Sequence, residues 1–106
     1  MAPTLRLAVV LLLPAVSVAC TWVAPDQRGR QVDVAYFGVA GHCRHLGDVS
    51  VSVAHRVAGV RRSEIKVKDE LESLARNEAA TLGADTIEPQ GEPEDGAQRF
   101  RAYRCR

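Results

Sequence analysis

The spacing of apolar positions changes several times along this chain, and each change predicts a different element. Residues 7–18 form an apolar run broken only by Pro14 and Ser17. Val32, Val34 and Tyr36 then alternate with Gln31, Asp33 and Ala35, the period-two pattern of a half-buried strand, with Gly38 and Gly41 marking a turn and a hairpin to the next run. In that run Cys43, Val49, Val51 and Val53 stand at odd positions against Arg44, Asp48, Ser50 and Ser52, and Gly47 reads as a bulge. Residues 54–62 show no period and read as a loop.

From Val67 the step lengthens to three and four residues through Leu71, Leu74, Ala75, Ala79 and Leu82. Early acids at Asp69, Glu70 and Glu72 and Gly83 just past the end complete an amphipathic helix. Asp85, Thr86 and Ile87 suit a short strand that Pro89 ends. Residues 90–96, rich in Gly, Pro and acid, read as an exposed turn, and residues 98–105 alternate as a last strand of unfixed register. The order predicts an α+β domain, one helix packed on a small, mostly antiparallel sheet.

The first apolar run is too short to span a bilayer and contains a proline, but it follows Arg6 as a signal-peptide core follows its positive start. It ends in Val16-Ser17-Val18-Ala19-Cys20, which resembles the lipobox of bacterial lipoproteins, although that family usually has Leu where Ser17 stands. The resemblance implies cleavage before Cys20 and lipid on its thiol; an ordinary secretory leader with a cysteine at its end is the alternative. Acylation by more than one chain holds a protein stably to a membrane. The expected organisation is a signal peptide over residues 1–19, the lipidated Cys20 with a short tether over residues 20–30, and a single domain over residues 31–106. Thr21 is not the Asp that retains such proteins at the inner membrane in enteric-type bacteria, so the resemblance implies the outer membrane, facing the periplasm. Trp22, two residues on, suits a lipid headgroup region.

Removing residues 1–19 of the 106 leaves a chain near the lower limit for one self-sufficient core, so a staple is expected. Arg6 leaves with the leader, and the 14 basic residues against 13 acidic ones become an even balance, which gives no general pull towards nucleic acid. If lipid consumes one of the three cysteines, Cys43 and Cys105 remain, and an even remainder in an exported chain suggests a disulfide. Two free thiols, or a bond between chains, are the alternatives.

Three segments carry a further resemblance: Cys43-Arg44-His45-Leu46-Gly47-Asp48-Val49, then Leu74 to Ile87 with its Arg76-Asn77, Ala79-Ala80 and Gly83, then Ala102-Tyr103-Arg104-Cys105. Together they resemble a family of small proteobacterial lipoproteins built on a domain of unknown function of the 4156 type, and the resemblance implies a Cys43–Cys105 bridge. Asp85 stands where that family tends to have Asn. The Leu-Gly-Asp-Val segment and the helix are more remotely similar to the outer-membrane lipoprotein sensor of the Rcs envelope-stress phosphorelay, whose second cysteine pair and long Pro-rich tether this chain lacks.

His42, Cys43 and His45, with His55, are the densest group of metal-ligand types. Neighbours on a strand point to opposite faces and a disulfide-bonded Cys43 cannot ligate, so no metal, cofactor or catalytic residue is assigned. Arg99, Arg101, Arg104 and Arg106 make the carboxyl end basic, as Arg61 and Arg62 do an earlier segment; a solvated, salt-bridged surface is the default reading, with lipid phosphate or lipopolysaccharide as the functional one. Asn77 is either an exposed polar residue or a buried hydrogen-bond partner. The expected function is a non-enzymatic envelope lipoprotein, an interaction module in contact with the membrane through its acyl chains and with a possible envelope protein partner. The opposing class is a small metal-binding or thiol-redox module using Cys43 and the nearby histidines.

Overall fold

The computed structural model describes residues 24–106, so the signal peptide, Cys20 and Trp22 lie outside the described residues. The helical spacing is realised as α1, Glu64–Thr81, three residues longer at its start than the apolar pattern indicates. Glu64 in its first turn favours the positive end of the helix dipole. Val67, Leu71, Ala75 and Ala79 recur every four residues and form its buried stripe, while Leu82 lies beyond the stripe and is exposed. Gly83 adopts φ +78°, and the N–H groups of Ala84 and Gly83 donate to the carbonyls of Ala79 and Ala80, closing the helix in a Schellman turn.

Four strands form one sheet: β1 Asp33–Val34, β2 Arg44–Ser52, β5 Thr86–Glu94 and β6 Ala97–Arg104, ordered β1-β5-β6-β2. Two short strands, β3 Arg56–Val57 and β4 Val60–Arg61, form a separate antiparallel ribbon. On the inner face of the sheet Val49, Val51, Ile87, Phe100 and Ala102 meet the helix stripe. Phe100 is fully buried at the middle of this layer, opposite Val49 on one side and Pro89 on the other. The other face carries Asp48, Ser50, Arg99 and Arg101, which are exposed. The fold is therefore the expected α+β class, with β1 as its parallel exception.

Several local expectations are corrected. Val32, Val34 and Tyr36 do not begin a hairpin with β2: β1 is only two residues long and pairs in parallel with β5, and the Ala35 N–H donates to the Ile87 carbonyl. Residues 54–62 hold a tight hairpin in which Ala58 (φ +51°) and Gly59 (φ +77°) supply the turn, a conformation that Asn-Gly signals far more clearly than Ala-Gly. Pro89 does not end β5. Ile87 directs its carbonyl towards β1, and two residues on the Pro89 nitrogen faces the same side, where no strand continues; its missing N–H costs no ladder bond. The expected turn over residues 90–96 shrinks to Asp95 (φ +48°) and Gly96 (φ +73°), the two-residue loop joining β5 to β6, while a register shift between Gln90 and Glu94 absorbs Gly91. The bulge read at Gly47 is present as a register shift between His45 and Gly47.

Cys43 immediately precedes β2 and Cys105 immediately follows β6, and the two are joined in a disulfide with a Cα–Cα distance of 4.2 Å. The bond locks the edge strand to its neighbour at one end of the sheet and closes a loop with a sequence separation of 62. Chain entropy alone assigns such a crosslink about 4 kcal/mol. Urea unfolding of the Cys43→Ser/Cys105→Ser variant is expected to show a loss of about that size; a loss below about 1 kcal/mol would mean that the crosslink adds nothing to the fold.

Candidate functional site

The helix runs antiparallel to β5, so the domain has two chemically distinct ends about 27 Å apart, the length of an 18-residue helix. At the end holding the disulfide, Asp85 organises the carboxyl terminus. Its carboxylate accepts the N–H groups of Cys105 at 2.8 Å and Arg106 at 2.9 Å, and the Thr86 hydroxyl at 2.9 Å. Its own N–H donates to the Tyr103 carbonyl and its own carbonyl accepts from Asp33, so β1, β6 and the last residues meet at one position. Burial acts to raise this carboxyl, but the donated N–H groups, the Thr86 hydroxyl and the Arg106 guanidinium outweigh it and hold Asp85 below the ordinary carboxylate range. The guanidinium of Arg106 also reaches the Gln31 carbonyl at 2.8 Å and Asp33 at 3.5 Å.

The start of the described chain is fastened at the same end. Asn77 on α1 accepts the Asp26 N–H at 2.8 Å and donates to the Ala24 carbonyl at 3.2 Å. Asp26 accepts the Gly29 N–H at 2.7 Å, beginning a 3-10 turn over Gly29–Gln31 that packs on the helix. A Cβ at Gly29 would collide with the Asn77 side-chain oxygen, so a larger residue there would displace the amide that holds Asp26. The described part of the expected short tether, residues 24–30, is thus packed on the domain: Asn77 holds Ala24 and Asp26, and Asp26 holds Gly29 and Arg30. A cleft of about 430 Å³ lies between this turn and the carboxyl terminus, lined in part by Arg28, Gln31, Gly83, Asp85, Arg104 and Arg106.

The opposite end carries a larger groove of about 490 Å³ between the β3–β4 ribbon, the first turns of α1 and the β5–β6 loop. His55, Arg61, Ile65, Lys68, Glu92 and Asp95 are among its walls. Arg62 forms a two-point pair with Glu70, with the second contact at 2.9 Å, and also donates to the Ala54 carbonyl, tying the ribbon to the helix. That hydrogen bonding holds Glu70 below its usual value and raises Arg62. Around the groove Ile65, Val60 and Val57 are 74%, 69% and 59% exposed, three branched apolar side chains in solvent at one end of a small domain.

The sequence candidates separate accordingly. Cys43 is committed to the disulfide, His45 contacts Asp48 at 3.0 Å and stacks obliquely on Tyr103, and His55 lies 4.0 Å from Asp95 at the far end. Among the described residues no three His, Cys, Asp or Glu side chains are grouped to hold a metal ion. The basic carboxyl end is also divided: Arg99 and Arg101 lie on the open sheet face, in register with Ser50 and Gln90 and with Asp48 and Glu88, whereas Arg104 and Arg106 lie at the disulfide end. Asn77 stood out in the sequence only as a polar residue within the helix pattern, and Asp85 only as a polar residue just after Gly83 where the resembling family tends to have Asn.

A disulfide-stapled helix on a half-open sheet, with a fastened amino-terminal lead, is the class of domain these features define. The chain belongs to the family described as a domain of unknown function (DUF4156), whose model matches residues 23–105. No curated protein and no solved structure matches the chain.

A carboxylate with a depressed pKa stabilises the fold above its unfolded value, near 3.9, and that contribution fades as pH falls through the lower folded value. Asp85→Asn keeps one acceptor oxygen but no charge, and its expected cost at neutral pH is about 1.5–3 kcal/mol by urea unfolding. The difference from the parent should shrink below about pH 4; an unchanged difference at low pH would assign the loss to something other than the charge.

Proposed function

We propose that this protein is a non-enzymatic lipoprotein of the bacterial cell envelope, tethered by lipid on Cys20 and presenting its distal groove to an envelope protein. The observation that carries the reading is the division of the domain into two ends. The lead from Cys20 enters at the disulfide end, where Asn77 fixes Ala24 and Asp26, and the exposed Ile65, Val60 and Val57 stand at the other. An intrachain disulfide suits an oxidising compartment such as the periplasm and leaves Cys20 as the cysteine free for acylation. The groove combines salt-bridging groups with apolar side chains, which fits contact with another protein surface. Thr21 favours the periplasmic face of the outer membrane as the site of attachment.

A photo-crosslinking residue placed at Ile65 or Val60 in intact cells is expected to trap one envelope protein, and the same residue at Ser50 on the open sheet face is expected to trap none. Equal trapping at all three positions, or no trapped species at Ile65 and Val60, would contradict the reading.

A further inference from the structure

At the disulfide end Arg106 is paired with Asp33 and Asp85, but three other arginines there are paired with no carboxylate among the described residues. Arg44 and Arg104 stand directly opposite each other on β2 and β6, an arrangement of like charges that an antiparallel pair disfavours. The Arg104 guanidinium rests 3.4 Å from the Gly83 carbonyl at the helix end, and Arg28 reaches the same cleft from the 3-10 turn. Among the described residues none of these three has an acidic partner. The nearby acids are already engaged: Asp85 by the terminal N–H groups and Arg106, Asp33 by Arg106, and Asp26 by the Gly29 N–H.

The position of the cleft supplies the ligand. Four residue steps separate Cys20 from Ala24, a reach of at most about 14 Å, and Ala24 is hydrogen-bonded to the helix by Asn77. Asn77 lies six positions before Gly83, about 9 Å along the helix axis. With Cys20 held in a bilayer, this short lead keeps the disulfide end within reach of the lipid headgroups. We infer that Arg28, Arg44 and Arg104 form a docking surface for the phosphates of membrane lipid headgroups, which orients the domain with its groove pointing away from the bilayer. Cationic side chains at a membrane surface interact favourably with anionic lipid and lose that attraction in salt. The inference rests on the lipid anchor proposed above.

Protein purified from membranes is reconstituted in vesicles of phosphatidylcholine alone or of phosphatidylcholine with phosphatidylglycerol, and amide exchange is followed at residues 27–32 and 103–106. Exchange there is expected to be several-fold slower with phosphatidylglycerol and to return to the phosphatidylcholine rate in high salt. The protection should vanish in Arg28→Gln/Arg104→Gln and persist in Arg99→Gln/Arg101→Gln on the open sheet face. Equal exchange in both vesicles, or equal loss in both double variants, would overturn the docking surface. Equal protection from inorganic phosphate in phosphatidylcholine vesicles, at matched ionic strength, would overturn the membrane as its source. Intact mass of the same sample separates the two claims: phosphatidylglycerol-dependent protection without acyl chains would sink the anchor while leaving the surface standing.

Discussion

One helix against one sheet face holds this domain together, and the rest of the structure answers to the thinness of that contact. Val67, Leu71, Ala75 and Ala79 meet Val49, Val51, Ile87, Phe100 and Ala102, and among the described residues no second layer covers the other face of the sheet. At two positions the helix contributes alanine, so the backbone approaches the sheet closely but brings little apolar surface. A core of this size supplies only a few kcal/mol beyond the cost of ordering the chain. The ends of the layer therefore carry polar and covalent fasteners: the Cys43–Cys105 bond and Asp85 at one end, the Arg62–Glu70 pair at the other.

What sequence reading recovered follows from which forces are periodic. The helix, β2 and β6 each bury one face over many residues, and their apolar spacing shows it. The cysteine count pointed to the staple without any geometry. The parallel pairing of β1 was hidden because two residues are too few to show a period, and the alternation through Tyr36 suggested a longer strand than exists. Tyr36 instead leaves the sheet and donates to Glu72 on the helix at 2.8 Å. Pro89 misled for a physical reason: a proline's effect on a strand depends on whether a neighbour needs its N–H, and edge position is a tertiary fact.

The polar fasteners were the least legible. Asn77 and Asp85 act by hydrogen-bonding backbone groups far away in sequence, so no local pattern announces them. Asp26 is 51 residues from Asn77, and Arg106 is 21 from Asp85. Asn77 fastens Ala24 and Asp26, and Asp85 fastens Cys105 and Arg106, all near the carboxyl end of the helix. With the lipid anchor proposed at Cys20, a lead fastened in this way would transmit orientation to the groove, which a free linker of the same length does not.

The intact mass of the protein extracted from membranes, measured before and after reduction, tests this account most directly. The expected mass is that of residues 20–106 plus acyl chains, increasing by two hydrogens when the Cys43–Cys105 bond is reduced. A chain without acyl groups, or one whose mass does not change on reduction, would contradict it.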